Sequence, residues 1–162
     1  MRHKSFAGMN CPTALTLDRV GEWWSILILR DAFHGLTRFD QFERSLGIST
    51  NSLTRRLNTL VESGLLDRRR YADRPARYEY VLTDAGRDFQ PVLVALATWG
   101  RAHAAPERDN VLLVDADSGH PVDPVMIDRN TGREIPGPGF AYVPGPDADE
   151  ATLRRLSGDE RT

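Results

Sequence analysis

The sequence predicts an α+β fold: a helix-rich body carrying a two-stranded β hairpin, followed by a small β ribbon-like appendage. Three observations predict it. Apolar residues recur at three- and four-residue spacing through most of the stretch from Pro12 to Gly64, and again from Phe89 to Trp99. Between Leu65 and Leu82 the pattern changes to two strand-like runs around a turn. Beyond Pro106 the composition shifts to Asp, Gly and Pro and the charge reverses. Residues 1–106 hold 15 Arg and Lys against 11 Asp and Glu, net +4, whereas residues 107–162 hold 6 against 12, net −6. The expected organisation is a basic body at 1–106 and an acidic, Gly/Pro-rich module at 107–162.

Pro12 suits the first position of a helix, where its missing N–H would be unsatisfied anyway, and Leu15, Leu17 and Val20 carry that helix to Gly21. The run EWWSILILRDAF, from Glu22 to Phe33, is apolar on nearly every side, as a helix in the middle of a small α-rich body must be. After the His34-Gly35 break, Phe39, Phe42 and Leu46 lie three and four apart. Gly47 then supplies the left-handed conformation that stops a helix. Ser49 is a good N-cap, and Leu53, Leu57, Leu60 and Val61 form one apolar stripe ending at Ser63-Gly64. A short helix, a turn and a longer helix in this order form a helix-turn-helix.

Leu65 to Tyr71 and Arg77 to Leu82 are strand-like runs around the loop at 72–76, whose Pro75 cannot join a central ladder. Thr83 is suited to cap a last helix in which Phe89, Val92, Leu93, Leu96 and Trp99 line one side, and Pro91 predicts a local bend. A helix this apolar needs a partner surface. The same helix and the first helix from a second copy supply it, so a two-fold homodimer is expected. The body therefore reads as a winged helix-turn-helix with N- and C-terminal dimerisation helices.

In the appendage, Asp115-Ala116-Asp117-Ser118-Gly119 and Asp128-Arg129-Asn130-Thr131-Gly132 repeat a D-x-x-[ST]-G turn. The flanking runs VLLV and PVMI suggest a small hairpin or ribbon. Paired C-x-x-C-G knuckles of zinc ribbons share this spacing. Here no position carries a thiolate, so the module is expected to be metal-free. Asp147 to Leu156, with Glu150 and Arg154 at helical spacing, reads as a last short helix.

The candidate site lies on the longer helix and the wing. Away from Leu53 and Leu57, that helix presents Asn51, Arg55 and Asn58, flanked by Ser52, Thr54 and Arg56, with Ser49 at its start and no acid before Glu62. Arg bonds bidentately to guanine and Asn to adenine, while Ser and Thr reach phosphates or bases, so this face suits the major groove of double-stranded DNA. Arg74 at the wing tip is placed for the adjacent minor groove, and Arg68, Arg69, Arg70 and Arg77 at the strand bases for phosphates, though not all four can face DNA. Strand alternation puts Arg68 and Arg70 on one face and Arg69 on the other, so at least one of these arginines is expected in a structural ion pair.

Other functions find less support. No Ser-His-Asp set, paired carboxylates or phosphate-cradling glycine loop can be assembled, so an enzyme is not expected, and neither is a cofactor. His34, His103 and His120 are scattered and form no metal spacing. No apolar run approaches the ~20 residues of a membrane span, and the first ten residues lack a signal-peptide core. With a single cysteine, Cys11, no intrachain disulfide forms, which fits a reducing cytoplasm. Trp23, Trp24 and Trp99 are candidates to line an effector pocket, although aromatics at helical spacing more often belong to a core.

Taken together, Cys11-Pro12, the GEWWSILILR run of Gly21 to Arg30, Gly35, Arg38-Phe39, Gly47-Ile48-Ser49, LTRRL at Leu53 to Leu57, Gly64-Leu65, YVLTDAG at Tyr80 to Gly86 and Trp99-Gly100 resemble the HxlR-type winged-helix regulators of bacteria, relatives of the MarR type. The resemblance covers roughly Cys11 to His103. It implies a homodimer on a near-palindromic operator, acting on a neighbouring gene and expected to repress it. It also implies a signal: some members sense oxidants or electrophiles through the cysteine equivalent to Cys11, while a small effector in a pocket lined by the tryptophans is the other signal the residues allow. A thiol at a helix N-terminus gains thiolate stability from the unpaired N–H groups, although Cys11 also suits a small capping or packing role. The family usually has Lys where this chain has Trp23, and the D-x-x-[ST]-G pair looks like a cysteine-free version of the ribbon that follows the last helix in many members. A winged-helix module used only for protein contact is the alternative; it would bind no specific duplex.

Overall fold

The computed structural model describes residues 5–104, 107, 111–136 and 139–157. Two compact units are present, Met1–Leu93 and Val94–Thr162. The boundary expected after Pro106 falls on a residue outside the described ones.

In the first unit α1 (Pro12–Val20), α2 (Trp23–Phe33), α3 (Phe39–Leu46) and α4 (Thr50–Glu62) precede a hairpin of β1 (Leu66–Asp73) and β2 (Ala76–Leu82). Helix α5 (Asp84–Arg87) follows, and helix α6 (Gln90–His103) begins in this unit and continues into the second. This is the expected α+β winged helix-turn-helix. The apolar spacing of each helix becomes one core: Ile28 and Leu29 of α2, Phe42 of α3, and Leu53, Leu57 and Leu60 of α4 are all fully buried. Each such side chain contributes roughly 1.5–3 kcal/mol relative to exposure, which is what holds α4 against α2 and α3. Gly47 ends α3 at φ +60°, a left-handed conformation, and Ser49 opens α4 by accepting a hydrogen bond from the Ser52 amide at 3.4 Å.

The two wing strands pair antiparallel from Leu66 opposite Leu82 to Asp73 opposite Ala76, with an irregularity between Arg70 and Ala72. They extend further than expected and shrink the loop to an Arg74-Pro75 tip. A bridge between Arg38 and Glu79, and a hydrogen bond from the Tyr80 amide to the Thr37 carbonyl at 2.7 Å, tie β2 to the start of α3. The wing is thereby fixed to the helix-turn-helix that it flanks.

The single bent helix expected after Thr83 is instead two helices. Thr83 caps α5 by accepting from the Gly86 amide at 3.0 Å while its own hydroxyl donates to the Gly64 carbonyl at 2.6 Å. Phe89 then drops into the core between α5 and α6. Pro91 falls in the first turn of α6, where its missing N–H disrupts no helical bond, so it opens a helix rather than bending one.

In the second unit the two D-x-x-[ST]-G turns share one plan, an Asp carboxylate that accepts from the Ser or Thr hydroxyl three residues on. The Asp115 carboxylate accepts from the Ser118 amide at 2.8 Å and from its hydroxyl at 2.7 Å. The Asp128 carboxylate accepts from the Asn130 amide at 3.1 Å and from the Thr131 hydroxyl. Each turn is closed by its own pairing. Val114 bridges Pro121, while β3 (Met126–Ile127) pairs with β4 (Glu134–Ile135). The ribbon therefore consists of one small hairpin per turn, each closed by the residues next to it. Helix α7 (Glu150–Ser157) begins at Asp149, whose carboxylate accepts from the Thr152 amide at 2.8 Å, and it carries the expected Glu150–Arg154 pair at 3.2 Å.

Candidate nucleic-acid interface

The outer face of α4 follows from its burial. With Leu53, Leu57 and Leu60 turned inward, Asn51, Thr54, Arg55 and Asn58 are exposed and Ser52 is half-buried. Ser49 and Thr54 are exposed but partly engaged: Ser49 caps the helix and donates to the Ser52 hydroxyl at 3.0 Å, and Thr54 donates to the Thr50 carbonyl at 2.8 Å. Among the described residues Asn51, Arg55 and Asn58 have no ion-pair or side-chain hydrogen-bond partner. These three are available to a ligand.

Arg56 departs from the sequence reading. Its side chain is buried and forms an ion pair with Glu22, at the start of α2, so it does not belong to the exposed face. The reason is periodic: Arg56 lies three residues after Leu53 and four before Leu60, on the core-facing side of the helix.

The wing arginines sort by their partners. Arg69, across from Glu79, is exposed and sits 3.4 Å from Asp67, a loose surface pair. The Arg68 guanidinium lies 3.8 Å from the centre of the Tyr78 ring, and Arg70 pairs with Asp73 at 3.2 Å. Arg74 at the tip and Arg77 beside it are exposed and, among the described residues, have no acidic partner. An unneutralised cation is one that a phosphate can engage without first breaking an internal pair. One cation escaped the sequence reading. Arg38, at the N-cap of α3, stacks 4.9 Å from the Tyr71 ring and adds positive charge beside the wing. Its pairing with β2 depends on a bridge between distant segments, for which no local signal exists.

Cys11 is the N-cap residue of α1, half-buried and followed by Pro12. Trp24 packs on the core, whereas Trp23 and Trp99 are 74% and 63% exposed. On α6, Val92, Leu96 and Trp99 recur four and three residues apart, and all three are exposed; on α1, Leu15 and Leu17 are exposed as well. No described helix is long and apolar enough to cross a membrane.

Comparison with known proteins agrees with this architecture. Residues 19–108 match the model of the HxlR-like helix-turn-helix family. The uncharacterized HTH-type transcriptional regulator Rv3095 of Mycobacterium tuberculosis is 44% identical over 133 residues, which cover 76% of this chain and 84% of the relative. Among solved structures, the candidate transcription factor PA1374 of Pseudomonas aeruginosa is 52% identical, with a TM-score of 0.65 over 90% of this chain and 100% of that one. The redox regulator HypR in its oxidized form is 32% identical, with a TM-score of 0.53 over 57% of this chain and 97% of its own. A wing pinned to a helix-turn-helix, a polar outer face on α4 and these likenesses lead to one assignment: the chain belongs to the HxlR-like helix-turn-helix family of transcriptional regulators.

Proposed function

We propose that this protein is a homodimeric, sequence-specific repressor that reads a near-palindromic operator in double-stranded DNA. The observation that carries this reading is the acid-free outer face of α4, where Asn51, Arg55 and Asn58 are exposed without internal partners. In the major groove Arg55 and Asn51 read base edges, while Ser49, Ser52 and Thr54 contact phosphates or bases near the helix N-terminus. Arg74 enters the adjacent minor groove, and Arg77 and Arg69 meet phosphates, Arg69 after release from Asp67.

The second copy is supported by the exposed stripe of Val92, Leu96 and Trp99 on α6, together with Leu15 and Leu17 on α1. Burial of these side chains between two chains removes a large apolar surface from water. Residues 1–106 then form the DNA-binding and dimerisation domain, and the two recognition helices lie about one duplex turn, ~34–36 Å, apart. The protein acts as a regulator rather than an enzyme, in the cytoplasm, and residues 107–162 form a metal-free module. Its signal is an oxidant or electrophile acting at Cys11, or a small effector; the likeness to the redox regulator HypR supports the first.

The test is enrichment of duplexes from a randomised pool by the purified protein, followed by sedimentation of the enriched duplex with the protein. A dyad-symmetric sequence bound by two chains is expected. Failure to enrich any sequence would contradict the reading and favour a module for protein contact.

A further inference from the structure

We propose that the ion pair between Glu22 and Arg56 is a positioning contact that sets the rotation of α4, and with it which side chains face the DNA groove. This rests on the reading above that α4 is the recognition helix. Arg56 is 8% exposed and its guanidinium meets the Glu22 carboxylate across 34 residues of sequence. A second polar contact lands on the same corner of the fold: the Ser63 hydroxyl, at the C-cap of α4, donates to the Arg19 carbonyl at 3.2 Å. Arg19 and Glu22 flank the junction between α1 and α2. Recognition helix and junction are thus joined at two heights, seven residues or ~10 Å apart along the helix axis.

These contacts supply what the core cannot. The stripe of Leu53, Leu57 and Leu60 holds α4 down, but apolar contact is non-directional and tolerates small rotations about the helix axis. A charge-assisted pair fixes distance and angle together. Each residue of a helix takes about 100° of its circumference, so a turn of a fraction of that moves Arg55 off a base edge. The pair is also poorly explained as a stabiliser. Buried ion pairs often contribute little net stability, and Arg56 Nε is buried with no hydrogen-bond partner among the described residues.

The test compares the full-length wild type with Glu22→Leu/Arg56→Met, which replaces the pair by apolar side chains, and with the charge swap Glu22→Arg/Arg56→Glu. Heat unfolding and binding to the enriched operator and to a scrambled duplex are measured for each. The double apolar variant is expected to unfold within a few degrees of wild type. It should lose tenfold or more of its operator affinity while its affinity for scrambled duplex stays unchanged, and the swap should recover most of the loss. A double variant that keeps the wild-type ratio of operator to scrambled affinity would overturn the proposal. Should that variant fail to fold, the swap decides: a folded swap without operator preference overturns it equally. A wild type that shows no operator preference removes the underlying function instead, which separates the two failures.

Discussion

Gly86 lies against the backbone of Leu65 so closely that a Cβ at this position would come within 2.1 Å of the Leu65 carbonyl oxygen. The obstacle is backbone and cannot swing away. At this point α5 crosses the start of the wing, so the glycine sets how closely the chain after β2 returns to the end of α4. Gly86→Ala is expected to destabilise the first unit by about 1–3 kcal/mol, the usual cost of overpacking. In thermal unfolding the midpoint should fall by roughly 10 °C. An unchanged midpoint would mean that the α5 segment is free to move away from Leu65.

The exposed stripe on α6 makes a second prediction. Leu96→Glu places a charge in the middle of the proposed two-fold interface, where burial without a partner costs at least ~2 kcal/mol. Dimer dissociation should rise about thirtyfold or more, read by sedimentation equilibrium. Because Leu96 is 46% exposed in the single chain, the substitution leaves the chain's own core intact, and the unfolding temperature should fall only by the share that dimerisation supplies and lose its dependence on protein concentration. A variant that stays dimeric at the same concentrations would place the interface elsewhere.

A third prediction concerns acid. The Ser118 hydroxyl, followed by the Ser118 amide, holds the Asp115 carboxyl below the ordinary value of 3.8; the Thr131 hydroxyl does the same for Asp128, and Thr152 for Asp149. Because these values are lowered on folding, the contribution of each turn is fully present above the ordinary carboxylate value. It is lost as pH falls through the lowered one. Amide chemical shifts of Ser118 and Gly119 followed down to pH 2 should therefore titrate below 3.8 in the wild type, and the midpoint should move up towards that value in Ser118→Ala. Identical midpoints in the two proteins would show that the hydroxyl does not hold the carboxylate.

Cys11 supports a fourth. If an oxidant signals through the thiol, diamide should release wild-type protein from its operator by forming an intermolecular or mixed disulfide, and Cys11→Ser should stay bound. Equal release of both proteins would eliminate this route and leave the small effector.

Much of the molecule could be read from local chemistry. The stop at Gly47, the cap at Ser49 and the stripe of Leu53, Leu57 and Leu60 are encoded within a few residues of where they act, and all appear as expected. The D-x-x-[ST]-G turns were legible for the same reason, since each carboxylate bonds within its own pentapeptide. Features that join distant segments were hidden. Arg56 looked like part of a polar helix face because its partner Glu22 lies 34 residues away, although its spacing from Leu53 was an available sign of its inward orientation. The break at Phe89 likewise depends on a core that only the assembled fold supplies. At the interface, local sequence identified the arginines but not which of them were already occupied; Tyr78, Asp73 and Asp67 made that division.

The central claim is that α4 reads bases while the wing supplies charge. Its most direct test is anisotropy of a labelled operator duplex and a scrambled duplex over a range of salt, with wild type, Arg55→Ala and Arg74→Ala. Arg55→Ala should lose about 1–3 kcal/mol of operator binding and most of the preference over scrambled duplex. Arg74→Ala should weaken binding to both duplexes and flatten the dependence of log affinity on log salt by about one neutralised charge per chain. If both variants match the wild type on a confirmed operator, α4 and the wing do not face the DNA and the account is wrong.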